Sequence, residues 1–364
     1  MMSHFATLGL NGSGLTRTPR VRPAKRAEGY LDRFDASTLW LDAVWHDGAV
    51  VLICPRLNNL KRAVSSAKFS VDGTSVRPRF TRYYRHTLIH LPAEARPASV
   101  AVQIGDWHAE TVVNGPDTRH DGCNVLMTLS KDNHPDWIED WGRFHIAQHG
   151  ADAVLFVDNG SQTWGPDQIR PALDRAGFRN IVLLSTTLRY GPRGLPPFLN
   201  AELFLQTGVL NALQFRFLQG ARAVLNCDVD ELVMTPGRSV FDAAVASRQG
   251  FVSFPGRWVH PAPDDDGWPA HARHTHRDDP VKTCPSKWCV VPNGPLRGYQ
   301  WRAHGLERLP FAGRFQADNA WFYHCRNISN GWKSLKRTQV RGGTVPDTEL
   351  QAALAEAALP QRSA

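Results

Sequence analysis

The sequence predicts an α/β fold in which a mostly parallel sheet is flanked by helices and preceded by a β-rich module. Three observations predict it. The length of 364 residues suits two domains, the first third of the chain consists of short alternating apolar runs, and near-continuous apolar runs alternate with helical patterns after about residue 122. Apolar strands that alternate with helices are typical of a parallel sheet covered on both faces.

The N-terminal region divides into two predicted parts. Residues 1–29 are rich in Arg, Gly and Pro and lack the apolar segment of a signal peptide, so we predict a disordered leader. Residues 30–115 contain apolar runs with a period of two, separated by turn residues at positions 46–48 and 72–73. This spacing predicts a β-sandwich-like module, and residues 114–116 (Asn-Gly-Pro) predict the linker that follows it.

Residues 122–340 are predicted to form the main sheet, and residues 341–364 a C-terminal tail. Buried strands are predicted for NVLMTLS, AVLFVDNGS and NIVLLST. The stretch PDWIEDWGRFHIAQHG predicts a helix that begins near Pro135 and ends at Gly150. Ligands of such sheets bind beyond the carboxyl ends of the strands, so the residues at these ends are the first candidates for a site.

The fourth predicted strand, in AVLNCDVDELV, ends in three acidic residues: Asp228, Asp230 and Glu231. Burying several unpaired carboxylates is unfavourable, because each loses its hydration and they repel one another. Positions i and i+2 of a strand project to the same side, so Asp228 and Asp230 are predicted to share one divalent cation. The alternative interpretation is an exposed acidic turn.

Polar residues also follow the other predicted strands. Lys131 and Asp132 follow the first strand, and Asp158 and Asn159 follow the second. The Asp158-Asn159 turn is either a structural turn or a hydrogen-bonding contact to a ribose or base. After the third strand, Arg189 lies in the loop RYGPRG, which either contacts phosphate or is solvated.

Composition limits the classes of partner and of compartment. The net charge of +8 favours an anionic partner, but the chain lacks the interleaved basic and aromatic residues of nucleic-acid-binding modules, so no nucleic acid is predicted. The six scattered cysteines predict reduced thiols. No apolar run approaches the roughly 20 residues of a membrane-spanning helix, so we predict a cytoplasmic protein, with peripheral contact at the inner face of the membrane as the alternative.

Histidines cluster in the last third of the chain. The stretch HARHTH, followed by Cys284 and Cys289, suggests zinc, but its spacing matches no standard zinc motif and the surrounding residues predict a long polar loop. His304 and His324 lie in apolar-aromatic surroundings, where a single histidine is either a hydrogen-bonded core residue or a metal ligand.

These motifs, taken in order, resemble glycosyltransferases with the Rossmann-like GT-A fold, in particular glycosyltransferase family 92 and its bacterial relatives. The resemblance covers about residues 124–337. It depends on DWIEDWGRFHIAQHGADAVLFVDNGS, AVLNCDVDELV, SKWCVV with Lys287, RAHG with His304, and YHCRN with His324. Two departures are Lys131-Asp132-Asn133-His134, where relatives commonly have a Lys/Arg-Asn-Glu run, and Leu232, where Phe is commoner.

The resemblance implies a hexosyltransferase-like enzyme that uses a nucleotide-sugar, most often a UDP-sugar, with Mn²⁺ or Mg²⁺. The acceptor would be a glycan or a lipid-linked hydroxyl compound, as in polysaccharide biosynthesis. The implied metal ligands are Asp228, Asp230 and a later histidine, with His304 favoured over His324. The predicted nucleotide-sugar-binding residues are Lys131, Asp158, Asn159, Arg189 and Asn226.

The resemblance further implies direct displacement at the anomeric carbon with inversion. Glu231 would orient the donor sugar or the acidic motif. A carboxylate is the usual general base for the acceptor hydroxyl. Asp318, just before a predicted core strand, is favoured for this role, and Glu307 and the run Asp264–Asp266 are the alternatives.

Two other functions remain open from the sequence. A phosphatase of the haloacid dehalogenase type would use Asp228 as nucleophile and Asp230 as acid-base, although that motif normally opens its domain. A non-enzymatic carbohydrate- or polyanion-binding protein would use the β-rich module instead.

Overall fold

The computed structural model of the protein describes residues 4–263, 265, 267–328 and 343–360. The N-terminal third contains two short helices, α1 (Tyr30–Arg33) and α2 (Lys61–Ser65). Its strands are β1 (Leu8–Gly9), β2 (Thr38–Trp40), β3 (Asp42–His46), β4 (Ala49–Pro55), β5 (Lys68–Val71), β6 (Thr74–Val76), β7 (Arg79–Arg82), β8 (His86–Pro92), β9 (Ser99–Ile104) and β10 (Trp107–Val112).

Eight of these strands form two antiparallel sheets. One has the order β10-β9-β5-β6 and the other β3-β4-β8-β7. Side chains from both sheets, among them Leu52, Phe69, Ile89 and Val102, share one hydrophobic cluster. Sheets that share one core in this way have the arrangement of a sandwich, as period-two alternation favours.

The N-terminal segment is ordered from residue 4, and the prediction of a disordered leader was wrong. Ala6, Leu10 and Val21 are buried, and Ala6 and Leu10 belong to the core of the two sheets. Arg17 is only 1% exposed, and its guanidinium donates hydrogen bonds to the carbonyl oxygens of Arg56 and Asp35. The polar composition of this segment therefore did not make it solvent-exposed. Its one buried cation, Arg17, can be buried because backbone carbonyl oxygens accept its hydrogen bonds.

The rest of the chain builds the main sheet. Its helices are α3 (Pro135–His149), α4 (Pro166–Ala176), α5 (Phe204–Arg216), α6 (Val240–Ala246) and α7 (Thr348–Glu356). The strands of this part of the chain are β11 (Asn124–Ser130), β12 (Ala153–Asp158), β13 (Asn180–Ser185), β14 (Ala223–Asn226), β15 (Glu231–Met234), β16 (Phe251–Pro261), β17 (His274–Asp278), β18 (Thr283–Val290), β19 (Trp301–Arg302), β20 (Gly305–Leu306), β21 (Trp321–Cys325) and β22 (Thr344–Pro346). Of these, β19 and β20 pair with each other in a separate two-stranded sheet.

The main sheet is mixed, which corrects the predicted mostly parallel sheet. The order is β13-β12-β11-β14-β18-β16-β17-β22, with β21 paired to β15 and β16. The first four strands are mutually parallel, whereas β14-β18, β18-β16, β16-β17 and β17-β22 are antiparallel. Parallel neighbours need a long crossover, which α3, α4 and α5 supply only in the first half.

Helices and the β-rich module cover the two faces of this sheet. On one face, α3, α4, α6 and α7 contribute to a core with Trp141, Phe156 and Phe322. On the other face, α5 packs between the main sheet and the β3-β4-β8-β7 sheet, since Leu213 shares a cluster with Val51 and Val224. None of the described helices is long and apolar enough to cross a lipid bilayer.

The described part of the predicted C-terminal tail is integrated into the fold. β22 extends the main sheet beyond β17, and Leu350, Ala353 and Leu354 of α7 are buried in the core around α3. Asp347 caps α7 by accepting the N–H of Leu350. The helical spacing of Leu350, Ala353 and Leu354, at positions i, i+3 and i+4, is the sequence signal of this packing.

Candidate functional site

A cavity of about 500 Å³ opens at the carboxyl ends of the parallel strands. Its wall includes the residues directly after β11 and β12, residues from the loop that follows β13, and the turn that follows β14. A further part of the wall comes from α1, near the N-terminus. Of the predicted site residues, the cavity brings together Lys131, Asn159, Arg189, Asp228 and Asp230.

Asp228 and Asp230 lie in a turn and Glu231 is the first residue of the next strand, because β14 ends at Asn226 and β15 begins at Glu231. We call residues 228–231 the acidic turn. The prediction that Asp228 and Asp230 project to one side of a strand was therefore wrong. Asp228 lies 2.9 Å from Lys287 of β18, whereas Asp230 lies 2.9 Å from Nε2 of His324 of β21. The two carboxylates are held by different partners.

Lys287 balances the buried half of the acidic turn. Its side chain is 1% exposed, and its Nζ is 2.9 Å from an oxygen of both Asp228 and Glu231. Burial alone lowers the pKa of Lys287, but the two carboxylates raise it well above its ordinary value, so the ammonium group stays charged. Burial raises the pKa of Glu231, and Lys287 opposes that shift.

Asp230, Glu231 and His324 form a group that could hold a cation. One ligand atom of each lies within 4.8 Å of the others. Antiparallel pairing of β15 with β21 places Glu231 directly opposite His324, and parallel pairing of β16 with β21 places Trp258 beside His324. The Trp258 ring stacks on the imidazole at 4.1 Å, which fixes the ring plane.

The structure does not bring the favoured His304 into this group. His304 is exposed, and its Nδ1 lies 3.0 Å from the carbonyl oxygen of Ser286. The second candidate, His324, occupies the place expected of His304. Sequence reasoning could not choose between them, because the choice depends on which strand pairs with β15.

The histidine-rich stretch HARHTH does not form a zinc site in the described structure. His271 and His274 are buried and lie within hydrogen-bond distance of the carbonyl oxygens of Val229 and Ala270, respectively. Cys289 is buried in β18, and Cys284 lies near His324 instead. Among the described residues, only the group around Asp230 has a metal-ligand arrangement.

The turn after β12 is built around a buried carboxylate. Asp158 is 1% exposed and accepts hydrogen bonds from the N–H and hydroxyl of Ser161 and from the hydroxyl of Ser185. Asn159 donates to the carbonyl oxygens of Thr186 and Leu188 and lines the cavity. Asp158 therefore shapes the cavity wall, and Asn159 forms part of it.

Arg189 lines the cavity and also fixes α1 over it. Its Nη1 donates to the carbonyl oxygens of Phe34 at 3.0 Å and Leu31 at 3.3 Å. These contacts hold Asp32 and Arg33 of α1 in the cavity wall. Sequence reasoning missed both residues, since they lie outside the predicted main domain and follow no strand of its sheet.

A buried glutamate holds the other side of α1. Glu202 is 0% exposed and accepts hydrogen bonds from the hydroxyl of Tyr30 at 2.5 Å, the N–H of Arg20 at 2.8 Å and Nδ2 of Asn58 at 3.1 Å. The loop before α5, the N-terminal segment and the β-rich module therefore meet at one carboxylate.

The remaining predicted residues do not line the cavity. Asn226 is buried and donates to the carbonyl oxygen of Ala303, and Asp318 is exposed near β16. Glu307 accepts the N–H of Tyr84 and is 6% exposed. Asp264 and Asp266 lie outside the described residues.

Comparison with protein-family models finds no match, and comparison with curated proteins finds none either. Among solved structures, the chain is similar to the apo structure of WbbM, described as a bifunctional glycosyltransferase, with 11% identity and a TM-score of 0.26. The similarity covers 41% of this chain and 26% of that chain, so this chain spans about a quarter of that protein. A likeness of this size is too low to indicate an activity.

Proposed function

We propose that the protein is a metal-dependent glycosyltransferase that moves a sugar from a nucleotide-sugar donor to a hydroxyl group of a glycan or lipid-linked acceptor. One observation supports this proposal above the others. The cavity at the carboxyl ends of the parallel strands has the acidic turn and the Asp230–Glu231–His324 group at its edge. The sequence resemblance to GT-A glycosyltransferases points in the same direction.

The ligand set fits a divalent cation. Two carboxylates and one imidazole offer oxygen and nitrogen donors, which suits Mn²⁺ better than Mg²⁺, because Mg²⁺ is bound mainly by oxygen. Asp230, the Oε1 side of Glu231 and His324 would hold the ion. When bound, it would neutralise the charge that develops on the diphosphate leaving group.

The residues around the cation group have separate proposed roles. Lys287 keeps the acidic turn folded by neutralising Asp228 and Glu231. Lys131 is exposed at the cavity wall, where its ammonium group would contact the nucleotide or its phosphates. Asn159 would contact the nucleotide, and Asp158 would hold the turn in place for it.

The general base is proposed to be Asp32. An inverting displacement needs a general base within reach of the acceptor hydroxyl, usually a carboxylate, and the carboxylates of the described cavity wall belong to Asp32, Asp228 and Asp230. Lys287 and His324 engage the latter two. Asp32 comes from a different element, α1, and therefore replaces Asp318 in this role.

The proposal is tested with UDP and Mn²⁺. We expect UDP and Mn²⁺ together to raise the unfolding temperature of the protein by more than the sum of the two shifts measured separately. Each ligand would complete the binding site of the other. His324→Ala should abolish the joint effect. The exposed His304→Ala is the matched control and should retain it.

Two outcomes would contradict the proposal. The first is the absence of a joint effect with UDP, ADP, GDP and CDP in turn. The second is release of phosphate from p-nitrophenyl phosphate that disappears in Asp228→Asn, which would indicate the phosphatase instead.

A further inference from the structure

A cluster of aromatic rings lies beside the cavity and has no role in the function proposed above. His134 lies between Trp164 and Trp268, at ring-centroid distances of 4.7 Å and 5.0 Å and interplanar angles of 72° and 66°. Trp268 stacks on Trp137 at 6.0 Å. We call these four rings the aromatic platform.

The position of Trp164 is not explained by core packing. Among the described tryptophans, only Trp164 and Trp258 neither belong to a hydrophobic cluster nor pack against one. Trp258 stacks on His324 in the cation group. Trp164 is partly exposed and contacts the edge of His134. A large indole in such a place offers apolar surface to a ligand.

The Trp164 side of the platform is joined to the cavity wall by Asp132. The Asp132 carboxylate accepts the N–H of Gln162 at 2.6 Å, and its own N–H donates to the hydroxyl of Ser161 at 2.7 Å. Gln162, two residues before Trp164, and Asn133, next to His134, both line the cavity. The platform therefore begins where this wall ends.

The Trp268 side is joined to the acidic turn. Nε1 of Trp137 donates to the carbonyl oxygen of Pro269 at 2.6 Å, directly after Trp268. Nε2 of His271 lies 2.9 Å from the carbonyl oxygen of Val229, which lines the cavity between Asp228 and Asp230. The two sides of the platform are thus attached to two different turns of the cavity wall. The Trp164 side is attached to the turn after β12, and the Trp268 side to the turn after β14.

His134 is itself held in one orientation. It is the N-cap of α3, and its Nδ1 accepts the N–H of Asp136 at 3.2 Å. A preformed surface of fixed rings loses little conformational freedom when a ligand binds, which favours recognition.

We propose that the aromatic platform is the acceptor subsite and that it binds a pyranose ring of the acceptor glycan. A pyranose has an apolar face of C–H groups and a rim of hydroxyl groups, so its face stacks on the partly exposed Trp164 while a rim hydroxyl points into the cavity. The assignment of this sugar as acceptor rests on the proposed function, whereas the binding of a sugar ring does not.

The test measures the affinity of the protein for methyl β-D-glucopyranoside, methyl β-D-galactopyranoside and methyl α-D-mannopyranoside by saturation-transfer NMR titration. We expect Trp164→Ala to weaken binding of the preferred glycoside by about tenfold, and Trp164→Phe to restore most of it, because stacking by a single ring contributes on that order. Trp107→Ala is the matched control. Trp107 is also partly exposed, but it lies on β10 and donates to the carbonyl oxygen of Asn11.

Equal affinity in Trp164→Ala and the wild-type protein would overturn the proposal, and so would the absence of saturation transfer to all three glycosides in the wild type. Joint stabilisation by Mn²⁺ with UDP, ADP, GDP and CDP in turn is measured on the same samples. If Trp164-dependent glycoside binding is found without that stabilisation, the platform is a sugar site and the transferase proposal is wrong. If the stabilisation is found without glycoside binding, only the platform proposal is wrong.

Discussion

Replacement of Lys287 by methionine tests the electrostatic basis of the site. Methionine keeps an unbranched apolar stem that is one atom shorter than lysine, but removes the charge that lies 2.9 Å from both Asp228 and Glu231. Glu231 is 3% exposed and would be left as a buried carboxylate without a cation, whereas Asp228 is 29% exposed and would be partly hydrated. Most of the cost therefore comes from Glu231.

The expected loss of unfolding free energy follows from this difference. Removing one partner of a buried ion pair costs about 3–5 kcal/mol, and we expect about 4 kcal/mol for Lys287→Met at pH 8. Glu231 has a raised pKa, and without Lys287 the pKa rises further. Since the neutral carboxyl is easier to bury, the deficit relative to the wild type should shrink as the pH falls and grow as it rises.

Urea unfolding at pH 8 and pH 5.5, followed by circular dichroism, measures these values. The double variant Lys287→Met with Glu231→Gln should recover at least about 2 kcal/mol, because no buried charge is left unpaired. Arg170→Met is the matched control: its guanidinium lies 3.1 Å from Asp174 and the two side chains are 52% and 51% exposed, so we expect a loss below about 1 kcal/mol. A Lys287→Met loss no larger than that of the control, or a double variant no more stable than the single one, would refute the reasoning.

Three further predictions concern catalysis, the cavity wall and acid stability. Asp32→Asn should lower kcat of sugar transfer by about 10²-fold or more with an unchanged Kd for UDP, because the variant loses the general base. The control Asp318→Asn should keep kcat within about twofold of the wild type. A normal kcat in Asp32→Asn would exclude Asp32 as the base. Glu202→Gln should destabilise the protein by about 1.5–3 kcal/mol, because an amide oxygen accepts the three hydrogen bonds more weakly than the carboxylate does. It should also speed hydrogen exchange in residues 20–34, and unchanged exchange would show that Glu202 does not hold α1. Burial lowers the pKa of His145 to about 3. As the pH falls below about 6.5, the unfolded state therefore binds this proton before the folded state does. The free energy of unfolding then decreases by about 1.4 kcal/mol per pH unit until the folded pKa is reached. Urea unfolding of His145→Gln between pH 6 and 4.5 should show a shallower dependence by that amount, whereas the exposed His108→Gln should match the wild type.

The candidate site was predictable where its signal is local. An apolar run that ends in acidic residues marks a buried strand tip, so Asp228 and Asp230 were expected near Lys131 and Asn159, and all four line one cavity. These residues follow parallel strands, whose carboxyl ends must meet at one edge of the sheet. No pairing partner had to be known for that inference.

By itself, then, the sequence determined the strands of the parallel half, the helix from Pro135 and the cavity edge to which the acidic turn belongs, because each follows from periodicity within a short stretch. Only the tertiary structure decided that Lys287 neutralises the turn, that His324 and not His304 faces Glu231, and that Asp32 enters the cavity wall. These contacts join elements that are far apart in the chain. They depend on which strands pair, in which register, and on how the core packs, and no single stretch of the sequence contains that information.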